Sequence, residues 1–314
     1  MTLSHRLKNV LHTLALFLCM GAILSLVGFV LAGVEGVLWA LFLGLLILAI
    51  SPNIPPSLIF SLYKGELLSA NNAPSLYRIT QELAARAELP ALPALYYLPS
   101  QLMNAFSVGS SASSAIGLSD ALLNSLSTRE LIAVLAHEIS HIQHNDVRVL
   151  TYADLISRIT SILSLTGFLL IFINLPLYFL GLVTISWFAL GILVIAPSLM
   201  SVLQLSLSRL REFDADHQAA LLTGDPEGLA MALRKLDIYE SSLIDVLFGR
   251  ERSLYIPSIL RTHPDTEERV SRLLRSKSPP EPTLIYTDDD RFTFPAHYQK
   301  SIKKPCWHLG GFWY

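Results

Sequence analysis

The sequence predicts a mainly α-helical membrane protein, with four transmembrane helices in two hairpins and a small β-sheet. Charged residues make up only 15% of the 314 residues, whereas soluble proteins average roughly 25%. Three stretches contain no Asp, Glu, Lys or Arg, and they lie between Lys8 and Glu35, between Glu35 and Lys64, and between Arg158 and Arg209. Short strand-like segments around a Gly- and Ser-rich turn, between the second and third stretches, predict the sheet.

The first two uncharged stretches can each hold one membrane-spanning helix, because a helix needs about 20 apolar residues to cross a bilayer. We expect these helices near residues 11–32 and 37–58. The third stretch can hold two helices, with residues 174–176 as the turn between them. A cleaved signal peptide is the alternative for the first segment, but that segment is longer than a signal sequence and a second apolar segment follows it at once.

Basic residues flank the two predicted hairpins on one side. The hairpin turns carry only Glu35 as a charged residue, and the opposite flanks carry Arg6, Lys8, Lys64, Arg158, Arg209 and Arg211. Because positively charged flanks stay in the cytoplasm, we expect both soluble segments and both termini to face the cytoplasm. The lipid bilayer is therefore a predicted partner. Nucleic acid is not, since the net charge is −2 and no basic run occurs.

This layout divides the chain into five segments. The two transmembrane hairpins cover residues 1–63 and 151–208, and the two soluble segments cover residues 64–150 and 209–277. Residues 278–314 form a tail that is rich in proline and aromatic residues and to which we assign no role. Because each hairpin returns the chain to the same side, the two soluble segments can fold together.

The first soluble segment predicts an α+β unit. Pro74 is placed to begin a helix that keeps one apolar face through Arg86. The spacing of Ser127 and Glu130 is that of a capping box, which predicts the start of a second helix. Short strands are expected between these helices, at residues 94–98, 104–108 and 115–118.

The second soluble segment predicts two helices. The first is expected over residues 209–222 and ends at Thr223 and Gly224. The second begins at Pro226, after a capping aspartate, and runs through Tyr239.

The helix that begins after Ser127 carries the motif His137-Glu138-Ile139-Ser140-His141. Four residues make slightly more than one helical turn, so both imidazoles project from one face and can bind the same ion. Imidazole nitrogens suit zinc, and Glu138 lies beside them as a candidate general base for a water molecule that the metal activates. The competing interpretation is an ordinary helix with two chance histidines.

A catalytic zinc site uses three protein ligands, and two residues are candidates for the third. His144 shares the helix face of the motif but lies two turns away from His137. Glu212 follows the fourth predicted membrane helix and lines one helix face with Asp216. Glu212 could bind the metal while Asp216 accepts a hydrogen bond from a metal-bound histidine. Without the motif, the two acids would indicate only a charged helix end.

Together these residues resemble the HtpX-type membrane zinc metalloproteases and, more distantly, the CaaX prenyl endopeptidases. The resemblance rests on the sequence HEISH before an apolar hairpin and SRLREFDADHQAALLTGDP after it, and it covers roughly residues 64–275. The segments Asn104-Ala-Phe and Thr262-His263-Pro264 are similar to further motifs of the family.

The resemblance implies a zincin-like α+β catalytic domain with one zinc ion per chain and a gluzincin-like ligand set. His137, His141 and Glu212 would bind the zinc, Glu138 would be the general base, and Asp216 would support a ligand. The resemblance also implies cleavage of protein or peptide substrates, among them membrane or misfolded proteins. That cleavage would take place on the cytoplasmic side of the bacterial inner membrane.

Asn104 and His263 are implied, more loosely, to lie near the substrate cleft; a strand-end Asn and a helix-start His are equally good interpretations. A short edge strand beside the zinc helix could bind an extended substrate by strand addition. Two other functions remain open, a protease dedicated to one precursor or lipidated substrate and a catalytically silent membrane adaptor. The intact Glu138 argues against the adaptor, and the uncharged spans argue against zinc transport.

Overall fold

The computed structural model describes residues 3–50, 55–248 and 265–275. The described residues form two compact units. One, the apolar unit, comprises residues 3–50 and 148–210, and the other, the mixed unit, comprises residues 55–147, 211–248 and 265–275. The predicted tail at residues 278–314 lies outside the described residues.

The apolar unit is built from helices that are long and apolar enough to cross a membrane. The described part of the chain contains three such helices, α1 (Leu3–Ile50), α6 (Asp146–Phe179) and α7 (Trp187–Thr223). Their side chains are largely exposed, so the protein itself does not cover most of their apolar surface. That pattern is the one expected of helices whose apolar surface is covered by lipid.

Helix α1 turns back on itself near its middle. Ala32 and Gly33 leave the helical conformation, and Gly33 has a φ of 61°, which a glycine adopts without a steric penalty. The backbones of Gly28 and Gly36 then lie so close that neither position has room for a Cβ atom. On the same hairpin, Leu24 packs with Ala40 in one buried cluster.

The predicted turn at residues 174–176 is wrong, because α6 continues through the proline to Phe179. A proline removes one backbone donor without forcing a helix to end. The chain leaves the helix after Phe179 and turns at Gly181, which has a φ of 72°. The amide of Leu182 donates to the carbonyl of Leu177 at 2.9 Å. This arrangement is a Schellman motif, for which glycine is the usual residue.

The mixed unit contains a four-stranded sheet made of β1 (Glu66–Leu68), β2 (Ala94–Leu98), β3 (Ala105–Ser110) and β4 (Ser113–Ser119), and their order in the sheet is β1-β2-β4-β3. Strands β2 and β4 are parallel, and the other two neighbouring pairs are antiparallel. Strand β2 has the predicted bounds. Strand β4 is longer than predicted at both ends, and β3 begins one residue after the predicted start and ends two residues after the predicted end. Strand β1 was not predicted.

Helix α5 (Thr128–Gln143) is the centre of the mixed unit, since every residue from Glu130 to Ile142 is buried. The predicted capping box is present, with the Ser127 amide donating to the Glu130 carboxylate at 2.7 Å. The other helices of the unit are α2 (Pro56–Leu62), α3 (Pro74–Arg86), α4 (Asp120–Ser125), α8 (Pro226–Phe248) and α9 (Thr266–Arg275).

The helix expected over residues 209–222 is not a separate element but the C-terminal part of α7. The apolar-to-charged change near Arg209 marks a change of environment, and nothing in that sequence interrupts the helical backbone. The predicted end is correct, since α7 stops at Thr223 and Gly224 has a φ of 71°. Helix α8 begins at Pro226 as predicted and runs to Phe248, beyond the expected Tyr239.

Candidate metal centre

Helix α5 brings His137 and His141 together on one face. Their Nε2 atoms lie 3.2 Å apart, and their rings are nearly perpendicular, at 88°. Both residues are buried. The two nitrogens therefore point at one small volume, as the spacing of four residues requires.

Glu212, on α7, supplies a carboxylate to the same volume. Its Oε2 atom lies 3.5 Å from Nε2 of His137, and its Oε1 atom lies 3.8 Å from Nε2 of His141. One ligand atom from each of the three side chains can be chosen so that all lie within 4.8 Å of one another. This group could hold a metal ion.

Asp216 lies one helical turn after Glu212 and reaches the far side of His137. Its Oδ1 atom is 3.1 Å from Nδ1 of His137, and the carboxylate is only 3% exposed. A carboxylate on the second nitrogen orients an imidazole and leaves Nε2 to bind a metal.

Asp146 supports the other histidine and was not among the predicted site residues. Its Oδ2 atom lies 3.1 Å from Nδ1 of His141, and Arg211 Nη1 donates to its Oδ1 atom at 3.1 Å. Asp146 is the first residue of α6 and follows Asn145, whose left-handed φ of 55° turns the chain back toward α5. An acid just after an H-E-x-x-H helix was the available signal in the sequence.

His144 is not part of the three-ligand group. It terminates α5, and its Nδ1 atom lies 2.9 Å from the backbone carbonyl oxygen of Ser140. This local contact accounts for the side chain without a metal ion.

Arg269, on α9, also reaches the site, and no motif indicated it. Its Nε and Nη2 atoms each donate to the Asp216 carboxylate at 2.7 Å, and its Nη1 atom lies 3.0 Å from Glu212 Oε2. Burial alone would lower the pKa of Arg269. Its pairing with Asp216 and the charges of Glu212 and Glu138 outweigh that effect and raise the pKa above its usual value, so the guanidinium stays charged.

The charges of the site fit a divalent cation. Burial alone would lower the pKa of His137, yet the carboxylates of Asp216 and Glu212 raise it to about 10. The site therefore attracts positive charge strongly. Four buried carboxylates face two guanidinium groups, so a doubly charged ion bound to neutral histidines would balance them; the six residues are Glu138, Asp146, Glu212, Asp216, Arg211 and Arg269. Two imidazoles and a carboxylate are also a ligand set that zinc accepts.

Glu138 lies beside the two histidines with a buried carboxylate. A buried carboxylate beside the two histidines can accept a proton from a water molecule in the site.

The structure does not bring Asn104 into the metal group. Asn104 is exposed and immediately precedes β3, where its amide donates to Ser119 Oγ at 2.9 Å and its carbonyl accepts from the Ser119 amide at 3.0 Å. His263 lies outside the described residues.

Comparison with known proteins identifies relatives over most of the chain. The family model of Peptidase family M48 matches residues 70–277. A "Protease HtpX homolog" of Methylibium petroleiphilum is 32% identical over 286 residues, which cover 85% of this chain and 97% of the relative. A "Protease HtpX homolog" of Acaryochloris marina is 35% identical over 232 residues, which cover 68% of this chain and 76% of the relative.

A solved structure has a similar fold. The crystal structure of S. mikatae Ste24p superposes with a TM-score of 0.51 at 24% sequence identity, covering 87% of this chain and 67% of that chain. At this identity the likeness concerns the fold alone. It agrees with the mainly helical architecture and the small mixed sheet described above.

Proposed function

The chain belongs to Peptidase family M48 and is a membrane metalloprotease, and from this premise we propose that it is a zinc-dependent endopeptidase with one zinc per chain. His137, His141 and Glu212 bind the zinc, and Glu138 is the general base. The observation that carries the proposal is the convergence of three ligand atoms within 4.8 Å beside the buried Glu138 carboxylate.

A zinc ion held by His137, His141 and Glu212 would act as a Lewis acid that polarises the substrate carbonyl and lowers the pKa of a water molecule. Glu138 takes the proton of the attacking water and delivers it to the amine that leaves. Asp216 and Asp146 keep the Nδ1 atoms of His137 and His141 occupied, so that both Nε2 atoms stay directed at one point.

We further propose that the substrate is an extended protein segment that adds to the edge of the sheet at β3. Strand β3 ends the sheet order and pairs only with β4 among the described strands. It also packs against α5, the helix that carries the metal ligands. An edge strand offers backbone donors and acceptors to an extended peptide, and this favours exposed segments of membrane or misfolded proteins.

The proposed topology has four membrane spans, with both soluble segments in the cytoplasm. Two transmembrane hairpins (1–63 and 151–208) would alternate with the two parts of one catalytic domain (64–150 and 209–277). The reversal of α1 at Gly33 and the exposure of Glu35 beside it support the first hairpin. The placement in a bacterial inner membrane follows the resemblance to the HtpX-type proteases.

Cysteine labelling of intact cells tests this topology. In a chain that lacks Cys19 and Cys306, Glu35→Cys should react with a membrane-impermeant thiol reagent, and Lys64→Cys should not. Equal labelling of both positions would contradict the hairpin.

Proteolysis of casein by the detergent-purified chain tests the enzymatic proposal, with Glu138→Gln beside the wild type. The variant should retain one zinc and lose cleavage, because the ligands remain while the proton acceptor is gone. Glu82→Gln, a change on the surface of α3, is the matched control and should cleave as the wild type does. If the wild type binds zinc and cleaves neither casein nor a panel of unfolded membrane proteins, a dedicated protease or an adaptor replaces the proposal.

A further inference from the structure

Arg269 is a buried arginine whose described partners are both carboxylates of the metal centre. Its side chain is 8% exposed. The two nitrogens Nε and Nη2 form parallel bonds of 2.7 Å to Asp216, and Nη1 lies 3.0 Å from Glu212. A planar guanidinium matches a carboxylate in this two-bond manner, which fixes direction as well as distance.

We propose that Arg269 is a positioning residue of the metal centre, which holds Asp216 against His137 and holds Glu212 among the ligands. The inference rests on the proposed function, because it assumes that these residues bind zinc. Helix α9 would thus contribute to the metal centre a positively charged side chain that fixes the two carboxylates of α7.

The charges explain why the site needs this arginine. Asp216 and Glu212 are four residues apart on one helix face, and both carboxylates are buried. Two buried like charges repel each other strongly unless a positive group lies between them. Arg269 donates to Asp216 and forms an ion pair with Glu212, so it allows the two carboxylates to face the same histidine at the same time.

Helix α9, which carries Arg269, is itself fixed by contacts outside the metal centre. Val270 and Leu273 are buried in the main core of the mixed unit, and Glu267 accepts two bonds from Arg234 of α8, at 3.0 and 3.1 Å. The backbone beneath Arg269 is therefore anchored independently of the metal ligands. A site is held accurately when its supporting residues are themselves fixed by packing.

A purely structural role is the competing explanation. A buried arginine that only tied α9 to α7 would change the melting temperature of the protein and leave the metal affinity of the folded molecule unchanged. The two roles differ in metal affinity, and that difference is measurable without any substrate.

The test compares Arg269→Lys and Arg269→Met with the wild type, using the full chain purified in detergent. Arg275→Met is the matched control, since Arg275 is an exposed arginine on the same helix. Zinc affinity is measured by competition with a chelator, and the visible spectrum of the Co²⁺-substituted protein reports the geometry around the metal. Melting of the metal-depleted proteins is measured separately.

We expect Arg269→Met to weaken zinc binding by about 10–100-fold, the usual cost of losing a residue that orients metal ligands. Arg269→Lys keeps the charge but not the planar fork, so it should also weaken binding, by about tenfold, and alter the Co²⁺ spectrum. Arg275→Met should match the wild type in both measurements.

Folded Arg269 variants with wild-type zinc affinity and an unchanged Co²⁺ spectrum would overturn the inference. Failure of both variants to fold would also contradict it and would assign Arg269 to core stability. Neither result touches the proposed function, which fails only if the wild type itself does not bind zinc or cleave protein.

Discussion

The two histidines of the metal centre have similar surroundings that the chain assembles in different ways. Each Nδ1 atom lies 3.1 Å from an aspartate, and each aspartate is bonded to an arginine. Asp146 stands five residues from His141 and reaches it through a single turn. Asp216 is on α7, and its arginine, Arg269, is 53 residues farther along the chain, on α9.

The difference separates a local support from one that depends on tertiary packing. The contact between His141 and Asp146 forms where α5 turns into α6, and only the arginine of that side, Arg211, comes from α7. The His137 side requires α5, α7 and α9 to be docked at the same time. Damage to the packing of the mixed unit should therefore affect His137 before His141, although both histidines bind the same ion.

Removal of either histidine should abolish zinc binding as a whole, and this is the largest expected effect. His137→Ala and His141→Ala should each lose stoichiometric zinc and reduce proteolysis to background, because two protein ligands do not hold a catalytic zinc. His144→Ala is the control, and zinc content measured by mass spectrometry should stay at one per chain. Loss of zinc in this control would make His144 a ligand after all.

Replacement of the two aspartates tests the comparison directly. Asp146→Asn and Asp216→Asn should each weaken zinc binding by about 10–100-fold, as measured by chelator competition. We expect the larger loss for Asp216→Asn, because it also deprives the buried Arg269 of two bonds, whereas the partner of Asp146, Arg211, is more exposed. Equal losses would show that the long-range support is no more sensitive than the local one.

Asn145 tests the local side alone. Its left-handed φ of 55° costs a residue with a Cβ atom about 1–2 kcal/mol, less for asparagine and nothing for glycine. Asn145→Ala should therefore lower the free energy of unfolding by about 1 kcal/mol, measured by chemical denaturation. Asn145→Gly should retain most of the stability. If both variants lose the same amount, the bond from the Ser111 amide to the Asn145 side chain matters more than the turn.

Glu130 belongs to the capping box of α5, the helix that carries both histidines, and here the expected effect is smallest. Burial raises the pKa of Glu130, but its bonds to Ser127 and Lys235 lower it below the usual value. A lowered pKa in the folded state contributes stability above the unfolded pKa, and that contribution is lost as the pH falls through the folded pKa. Glu130→Gln should thus cost about 0.5 kcal/mol near neutral pH and nothing in strong acid. A loss of stability in Glu130→Gln that did not change with pH would show that the charge of Glu130 does not contribute to stability.

What could be predicted from the sequence follows the same division between local and long-range structure. The capping box at Ser127, the shared face of His137 and His141 and the bounds of β2 depend on residues close in the chain. Arg269 reaches the site only after α9 packs on the mixed unit, so no spacing indicated it. Asp146 was within reach of a local argument, because a turn at Asn145 places the next helix start beside His141.

The membrane segments show where local signals mislead. Pro176 resembled a helix end, yet the chain turns at Gly181, where positive φ is required. The charged residues from Arg209 onward resembled the start of a new element, yet α7 continues through them. Apolar length predicted that helices cross the membrane, while the places where they end depended on backbone conformation.

The central claim is that His137, His141 and Glu212 bind one zinc ion. X-ray absorption spectroscopy at the zinc edge of the purified full chain tests this claim most directly. The account predicts one zinc per chain, with two imidazole nitrogens and carboxylate or water oxygens at about 2.0–2.2 Å. It also predicts that His141→Ala, which should not retain stoichiometric zinc, gives no such zinc spectrum. A sulfur ligand, a zinc site without histidine, or a wild-type chain that binds no zinc would contradict it.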